Sequence, residues 1–288
     1  MVDDSYATDA LVSPEWVHDH LDDFGRDDPA LRLVEADRDY EDAYAEAHLP
    51  NAIGFDWDRD LQDAVERDVL KKGEFEQVMG DHGITPDSTV VLYGDESNQW
   101  AAYTYWQFRY YGHDDVRLLD GGRAYWLDND LPTTTEEPTF SPRTYEAAGP
   151  YDGLRAFQHE VRESLDRDVP MVDVRSPEEF RGEIVAPEGS AETARRAGHI
   201  PGATNVTWSE NLDEDERFKT ADELRDLYES RGITDDRGIV TYCRIGERSS
   251  LTWFALHELL GYDDVRNYDG SWTEWGNTIR APIAVDER

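Results

Sequence analysis

The sequence predicts a duplicated α/β fold: two tandem domains, each a mainly parallel sheet with helices on both faces. Three observations carry this. Short β-branched apolar runs alternate with segments of helical period, and the same peptide signatures recur in order about 150 residues further on. A Pro-, Thr- and Glu-rich stretch with no apolar period separates the copies.

The elements can be justified in chain order. Ser13-Pro14-Glu15 reads as a helix start, a capping hydroxyl followed by proline at the first helical position, with Trp16, Val17, His20 and Leu21 at helical spacing behind it. Leu31-Arg32-Leu33-Val34-Glu35 and Pro170-Met171-Val172-Asp173-Val174 are short strand candidates. The clearest buried strands are Thr89-Val90-Val91-Leu92-Tyr93 and Gly238-Ile239-Val240-Thr241-Tyr242. Helices are expected from Trp100 to Tyr111 and from Ser249 to Leu260, closed by Gly112 and Gly261.

The repeat is specific. His48-Leu49-Pro50-Asn51-Ala52 with Trp57 matches His199-Ile200-Pro201-Gly202-Ala203 with Trp208, a shift of 151. Gly83-Ile84-Thr85, Asp114-Asp115-Val116-Arg117 and Asp120-Gly121 match Gly232-Ile233-Thr234, Asp263-Asp264-Val265-Arg266 and Asp269-Gly270, a shift of 149. Val34-Glu35-Ala36 sits like Val172-Asp173-Val174 at a shift of 138, which implies about 13 extra residues in the second copy around Glu183 to Arg195. The expected boundaries are a first domain over 11–135, a linker over 136–151 and a second domain over 152–284.

Composition narrows the function. The 288 residues hold 65 Asp and Glu against 28 Lys and Arg, a formal charge of −37, and only Lys71, Lys72 and Lys219 are lysines. Such a field opposes nucleic acid and anionic membrane, so neither is expected as a partner. It suits a cytoplasmic protein of a high-salt cell, because ~1 M salt shortens the screening length to about 3 Å and suppresses self-repulsion. Met1-Val2-Asp3-Asp4-Ser5 lacks the basic and apolar parts of a signal peptide, and no run approaches the ~20 apolar residues of a membrane helix. Cys243 is the single cysteine, which excludes an intrachain disulfide and a cysteine-rich metal site; no metal and no cofactor are expected.

The chemistry is expected in Cys243-Arg244-Ile245-Gly246-Glu247-Arg248, between a buried strand and a helix, at the carboxyl end of a strand where open α/β sheets place their ligands. A tight turn there aims backbone N–H groups inward, Gly246 lets the chain curl, and Arg244 and Arg248 add positive charge, so the thiolate is expected to be stabilised. The first copy is an internal control: Gly94 stands for Cys243, Asp95 for Arg244 and Asp37 for Arg175. The first domain is therefore expected to be catalytically inactive.

On these residues the chain resembles the thiosulfate sulfurtransferase (rhodanese) family of tandem-domain type. The resemblance rests on Leu11-Val12-Ser13 with Trp16, Asp173-Val174-Arg175, Gly198-His199-Ile200-Pro201-Gly202-Ala203, Asp269-Gly270-Ser271-Trp272 and, most strongly, the loop Cys243 to Arg248. It implies a sulfurtransferase in which Cys243 accepts sulfur as a persulfide and Arg175 faces the bound anion. Arg244 matches the arginine typical of thiosulfate-using members. Ile245 departs from the lysine of the animal enzymes, which leaves Arg248 to supply the remaining cation. Ile245, Gly246, Glu247 and Ser271 are implied as the support of the persulfide. The implied reaction is double displacement, from a small anionic sulfur donor to a thiophilic acceptor such as cyanide or a thiol.

Three other readings stay open. A mercaptopyruvate sulfurtransferase shares nucleophile and fold, but its loop has a small residue after the cysteine, so Arg244 favours thiosulfate. A cysteine phosphatase needs five residues between Cys and Arg, where this chain has Ser249, with Arg248 one position early. A non-enzymatic sulfur carrier fits the first domain better than the reactive loop of the second. His18 and His20 diverge on a helix, and His48 and His199 recur in both copies, so these are read as fold or surface residues. Asp213-Glu214-Asp215-Glu216 is read as a solvated loop.

Overall fold

The apolar runs form the strands of two parallel sheets. A computed structural model describes residues 2, 5–167 and 169–285. Its contacts divide the chain into two units, one built chiefly on Thr8–Tyr151 with Glu214–Phe218, the other chiefly on Asp152–Asp213 and the residues from Lys219 onward. In the first unit five strands pair in the spatial order Leu11–Val12, Val116–Leu119, Thr89–Tyr93, Leu31–Asp37, Ala52–Asp56. All of these pairings are parallel. In the second unit the order is Val265–Asn267, Ile239–Tyr242, Met171–Asp173, Thr204–Asn205, again parallel throughout. An isolated parallel bridge from Arg155 to Asn267 takes the place of the first unit's opening strand. The duplicated α/β prediction is thus the observed architecture.

Local chemistry sets the helix boundaries. The Ser13 hydroxyl caps Pro14–Asp19 by accepting from the Trp16 N–H. Gly112 and Gly261 follow their helices at φ 80° and 73°, the left-handed geometry of a helix stop. The second-unit helix starts two residues earlier than its apolar period suggests, spanning Glu247–Phe254, because Gly246 at φ 107° turns the chain straight into it. It continues as a π-helix over Ala255–Leu259. The first-unit segment Asp95–Tyr110 is kinked at Glu96, Ser97 and Asn98, whose φ of 45°, 58° and 63° make three consecutive left-handed residues ahead of its right-handed helical run.

Each unit has its own core. Phe24, Tyr44, Val91 and Trp126 meet in the first, and Ile200, Tyr242, Trp272 and Trp275 in the second. A fully buried tryptophan removes roughly 200 Å² from water, a gross gain of about 5 kcal/mol, so the fully buried Trp100, Trp106, Trp126, Trp253, Trp272 and Trp275 offset a low apolar fraction. Residues 136–151 carry no helix or strand and run along the first unit. There the Arg143 N–H donates to Gly80 O, and Tyr145 is buried against Phe75 and His113. No helix among the described residues is long and apolar enough to cross a membrane.

Candidate active site

Sheet topology makes the crevice. From Met171–Asp173 the chain proceeds to one side of the sheet, and from Ile239–Tyr242 to the other, so the carboxyl ends of these neighbouring strands form a switch point. Cys243 leaves one strand and the Arg175-to-Glu179 segment leaves the other. Cys243 is fully buried, and the predicted loop residues Arg244, Ile245, Glu247, Arg248 and Ser271 are all buried around it.

The loop is held from three sides. The Cys243 N–H donates to the Ser271 hydroxyl at 3.0 Å, and that hydroxyl donates to Tyr268 O at 2.7 Å. The carbonyls of Cys243 and Arg244 accept from Trp272 and Thr273 N–H at 3.1 and 3.0 Å. Below, Asn267 donates to Gly246 O at 3.3 Å and Ser250 Oγ at 2.8 Å, and accepts from Ser249 Oγ at 2.7 Å. Gly246 is obligatory on two counts: its φ of 107°, and the 2.8 Å that would separate an added Cβ from Asp269 Cβ. Asp269 is itself fixed by a paired contact to Arg155, at 2.9 and 2.8 Å.

Backbone N–H groups and a carboxylate address the sulfur. The Gly246 N–H donates to Sγ at 3.1 Å, and Sγ contacts Glu247 Oε2 at 3.2 Å. The other carboxylate oxygen, Oε1, faces Arg244 Nη2 at 3.5 Å and Arg248 Nε at 3.6 Å. Arg248 also grips Glu179, buried on the short helix Pro177–Phe180, at 2.9 and 3.3 Å. Arg244 donates to the carbonyl of Glu192 at 2.8 Å, so the extra residues of the second copy close over this arginine.

Here the structure corrects the expected thiolate. Burial, and then the negative charge of Glu247, push the Cys243 thiol above its ordinary value, outweighing Arg248 and the N–H groups of Ser249 and Gly246. Two carboxylates, Glu179 and Glu247, neutralise the cations that were expected to stabilise the thiolate. Arg248 is held firmly protonated in turn, despite burial, by Cys243, Glu247 and Glu179.

Arg175 is placed differently from the loop arginines. It is completely buried, with Nε and Nη2 on both oxygens of Asp173 at 3.0 and 2.6 Å, and Nη2 also on Gly198 O at 2.8 Å. The Trp272 ring covers it, 4.4 Å from the guanidinium carbon, and Nη1 alone is buried without a hydrogen-bond partner. The first unit reproduces this anchor with another residue. Arg123, at the repeat position of Trp272, donates to Glu35 at 2.8 Å and to Ala47 O, the counterparts of Asp173 and Gly198. Tyr93 and Tyr242 also match, each taking the following N–H of the His-Leu-Pro or His-Ile-Pro turn, from Leu49 and from Ile200. Most of Arg175's hydrogen bonding is therefore an anchor that the copy without a cysteine also needs.

The vacated position in the first unit is closed. An added Cβ at Gly94 would lie 2.2 Å from Ala36 O. Asp37, which is buried, and Asp95, which is half-buried, stand where the second copy has arginines and pair through the Asp95 N–H, which donates to Asp37 Oδ1 at 2.9 Å. Burial first, then mutual repulsion with Glu35, Asp37 and Glu96, raises both well above the carboxylate range.

His48 and His199 both bind backbone carbonyls, Tyr44 O and Phe180 O at 2.8 Å, beside matching bridges to Thr134 and Ala284. His20 binds Trp16 O at 2.7 Å, and among the described residues no three His, Cys, Asp or Glu side chains cluster as metal ligands. Sequence reasoning missed Glu179, Asn267 and the contact of Glu192 with Arg244. Asn267 left a signal, since an asparagine stands where the first copy has the apolar Leu118. Glu179 left only a helix-cap pattern, Ser176-Pro177-Glu178-Glu179, which concealed its second partner.

A parallel α/β sheet that buries one cysteine in a strand-to-helix loop, in a chain that carries a second such sheet without a cysteine, defines a tandem protein with a single thiol centre. The rhodanese-like domain family matches residues 13–129 and 157–278, and the chain belongs to this family with two copies in tandem. A protein of Haloferax volcanii provisionally named a thiosulfate sulfurtransferase is 60% identical, over 98% of this chain and 99% of the relative. The sulfur carrier protein TtuD of Thermus thermophilus is 49% identical, over 97% and 98% of the two chains. Among solved structures, the anaerobic ergothioneine biosynthesis enzyme of Chlorobium limicola superposes with a TM-score of 0.84 at 27% identity, covering 97% of this chain and 71% of that one. These relatives place the chain among sulfurtransferases.

Proposed function

We propose that the protein is a thiosulfate sulfurtransferase, which takes the outer sulfur of thiosulfate onto Cys243 as a persulfide and passes it to cyanide or a thiol. The observation that carries this is the buried loop that presents one cysteine sulfur to the Gly246 N–H, between Arg244 and Arg248. The N–H can hold a terminal persulfide sulfur, and the guanidinium groups suit the donor's sulfonate by charge-assisted hydrogen bonds. Arg175 keeps Nη1 for the same task. A mercaptopyruvate donor is favoured less, since a guanidinium immediately after the cysteine matches a sulfonate and a small residue does not. The name of the Thermus thermophilus relative supports a second route for the same persulfide, delivery to a protein acceptor.

The test is sulfite release from thiosulfate at high salt, with mercaptopyruvate and pyruvate release as the comparison. Mass spectrometry of the donor-treated protein should find one additional sulfur on Cys243. Cys243→Ser should abolish both the adduct and turnover; turnover retained in that variant would overturn the assignment. A persulfide that forms once but turns over only when a protein thiol is supplied would select the carrier route.

A further inference from the structure

We infer that Glu247 is the catalytic base and acid of the Cys243 thiol, taking the sulfur's proton as the donor enters and giving it to the departing sulfite. This rests on the thiosulfate reading above and deepens it. The first observation is the contact itself, Sγ to Oε2 at 3.2 Å between groups that are both buried. The second is the internal control. The first-unit counterpart of Glu247 is Asn98, whose Oδ1 accepts the Gly94 N–H at 3.0 Å and whose amide donates to Leu119 O at 2.7 Å. That asparagine only caps the strand end, because the counterpart of Ser271 is Gly122 and no hydroxyl is there to do it. In the second unit the Ser271 hydroxyl takes the equivalent N–H, and the side chain at 247 is free to reach the sulfur. Where there is a thiol, the position carries a carboxylate aimed at it.

Charge explains why the proton must move. Around the sulfur stand Glu247 and Glu179 against Arg244 and Arg248, with the Arg175–Asp173 and Arg155–Asp269 ion pairs adding no net charge. The thiol form is therefore neutral overall and offers a dianion little, while Oε1 of Glu247 occupies both loop guanidinium groups. Transfer of the Sγ proton to Oε2 makes the nucleophile and discharges the carboxylate that competes for those guanidinium groups. The thiolate attacks the outer sulfur, the S–S bond of thiosulfate breaks with its electron pair going to sulfite, and Oε2 returns the proton to a sulfite oxygen. Thiol plus thiosulfate dianion becomes persulfide anion plus hydrogen sulfite, with no further reactant required.

The experiment uses the full chain at ~1 M salt and compares wild type with Glu247→Gln and Glu247→Asp across a range of pH. Two rates are read: alkylation of Cys243 by iodoacetamide, a neutral probe that needs no sulfur donor, and sulfite release from thiosulfate. In Glu247→Gln the thiol loses its negative neighbour, so alkylation at neutral pH should rise about tenfold for each unit by which the thiol's pKa falls. Sulfite release should instead fall by about 10²-fold in kcat, and its bell-shaped pH profile should become a single ascending limb. Glu247→Asp, with the carboxylate kept, should restore the bell at reduced height. Opposite movement of the two rates is a signature that a merely structural residue does not produce. Rates that fall together, or a bell that persists in Glu247→Gln, would overturn the inference. The alkylation shift in a protein that releases no sulfite with any variant would support the Cys243–Glu247 proton pairing and count against thiosulfate as the donor.

Discussion

Replacement of Glu179 by glutamine tests how the loop is braced. Arg248 and Glu179 meet through two hydrogen bonds at 2.9 and 3.3 Å, with side chains 9% and 0% exposed. Glutamine conserves the volume but leaves a buried guanidinium without its counter-charge, and breaking such a pair from one side costs about 3–5 kcal/mol. Arg248 keeps Glu247 as a second counter-ion at 3.6 Å, which places the expected loss at the lower end, about 3 kcal/mol. The exposed pair Arg167–Glu163, at 3.1 Å between the last turn of the helix Gln158–Ser164 and the turn that follows it, is the control, worth about 0.5 kcal/mol or less and erased by salt. Urea unfolding of Glu179→Gln and of Glu163→Gln, in moderate and in high salt, separates the two. The Glu179→Gln loss should persist at ~1 M salt, where screening reaches only about 3 Å but cannot enter a buried contact. The same variant should lower the pKa of the Cys243 thiol, since Arg248 is then less fully neutralised. A loss below about 0.5 kcal/mol, or one that vanishes in high salt, would refute the account of Arg248 as a buried, carboxylate-braced cation.

Three further outcomes follow from the same geometry. Asp37 and Asp95 hold protons in the folded first unit that the unfolded chain releases, so folding stability should fall as pH rises from the ordinary carboxylate range through neutrality. Asp37→Asn should flatten that slope in unfolding measurements at pH values on either side of neutral. Gly94→Cys should not create a second sulfur site: with 2.2 Å to Ala36 O the variant should lose about 1–3 kcal/mol, and donor treatment should still label Cys243 alone. Dilution from molar salt to ~0.1 M lengthens the screening length to about 10 Å, so a chain of charge −37 should lose stability and activity together, as circular dichroism and sulfite release would report.

What was legible in the sequence was whatever depends on neighbours along the chain. The strands Thr89–Tyr93 and Ile239–Tyr242 are runs of β-branched and aromatic residues, and the Ser13 cap announces its own helix. Duplication exposed Cys243 as the residue that distinguishes two otherwise parallel copies. The charges around it were not legible in that way, because their partners lie far off in sequence. Arg244 and Arg248 read as free cations beside a thiol, whereas folding brings Glu179 onto Arg248 and Glu192 O onto Arg244, 69 and 52 residues away. Arg175 reads as a ligand for the anion, and the fold also commits its Nε and Nη2 to Asp173 and Gly198 O, an anchor that Arg123 makes in the other copy. Sequence by itself therefore determined the fold and the duplication, and singled out Cys243 as the residue proposed to carry sulfur. Only the tertiary structure decided which way that sulfur's pKa moves, because burial and the sum of nearby charges are properties of the folded surroundings rather than of any local motif.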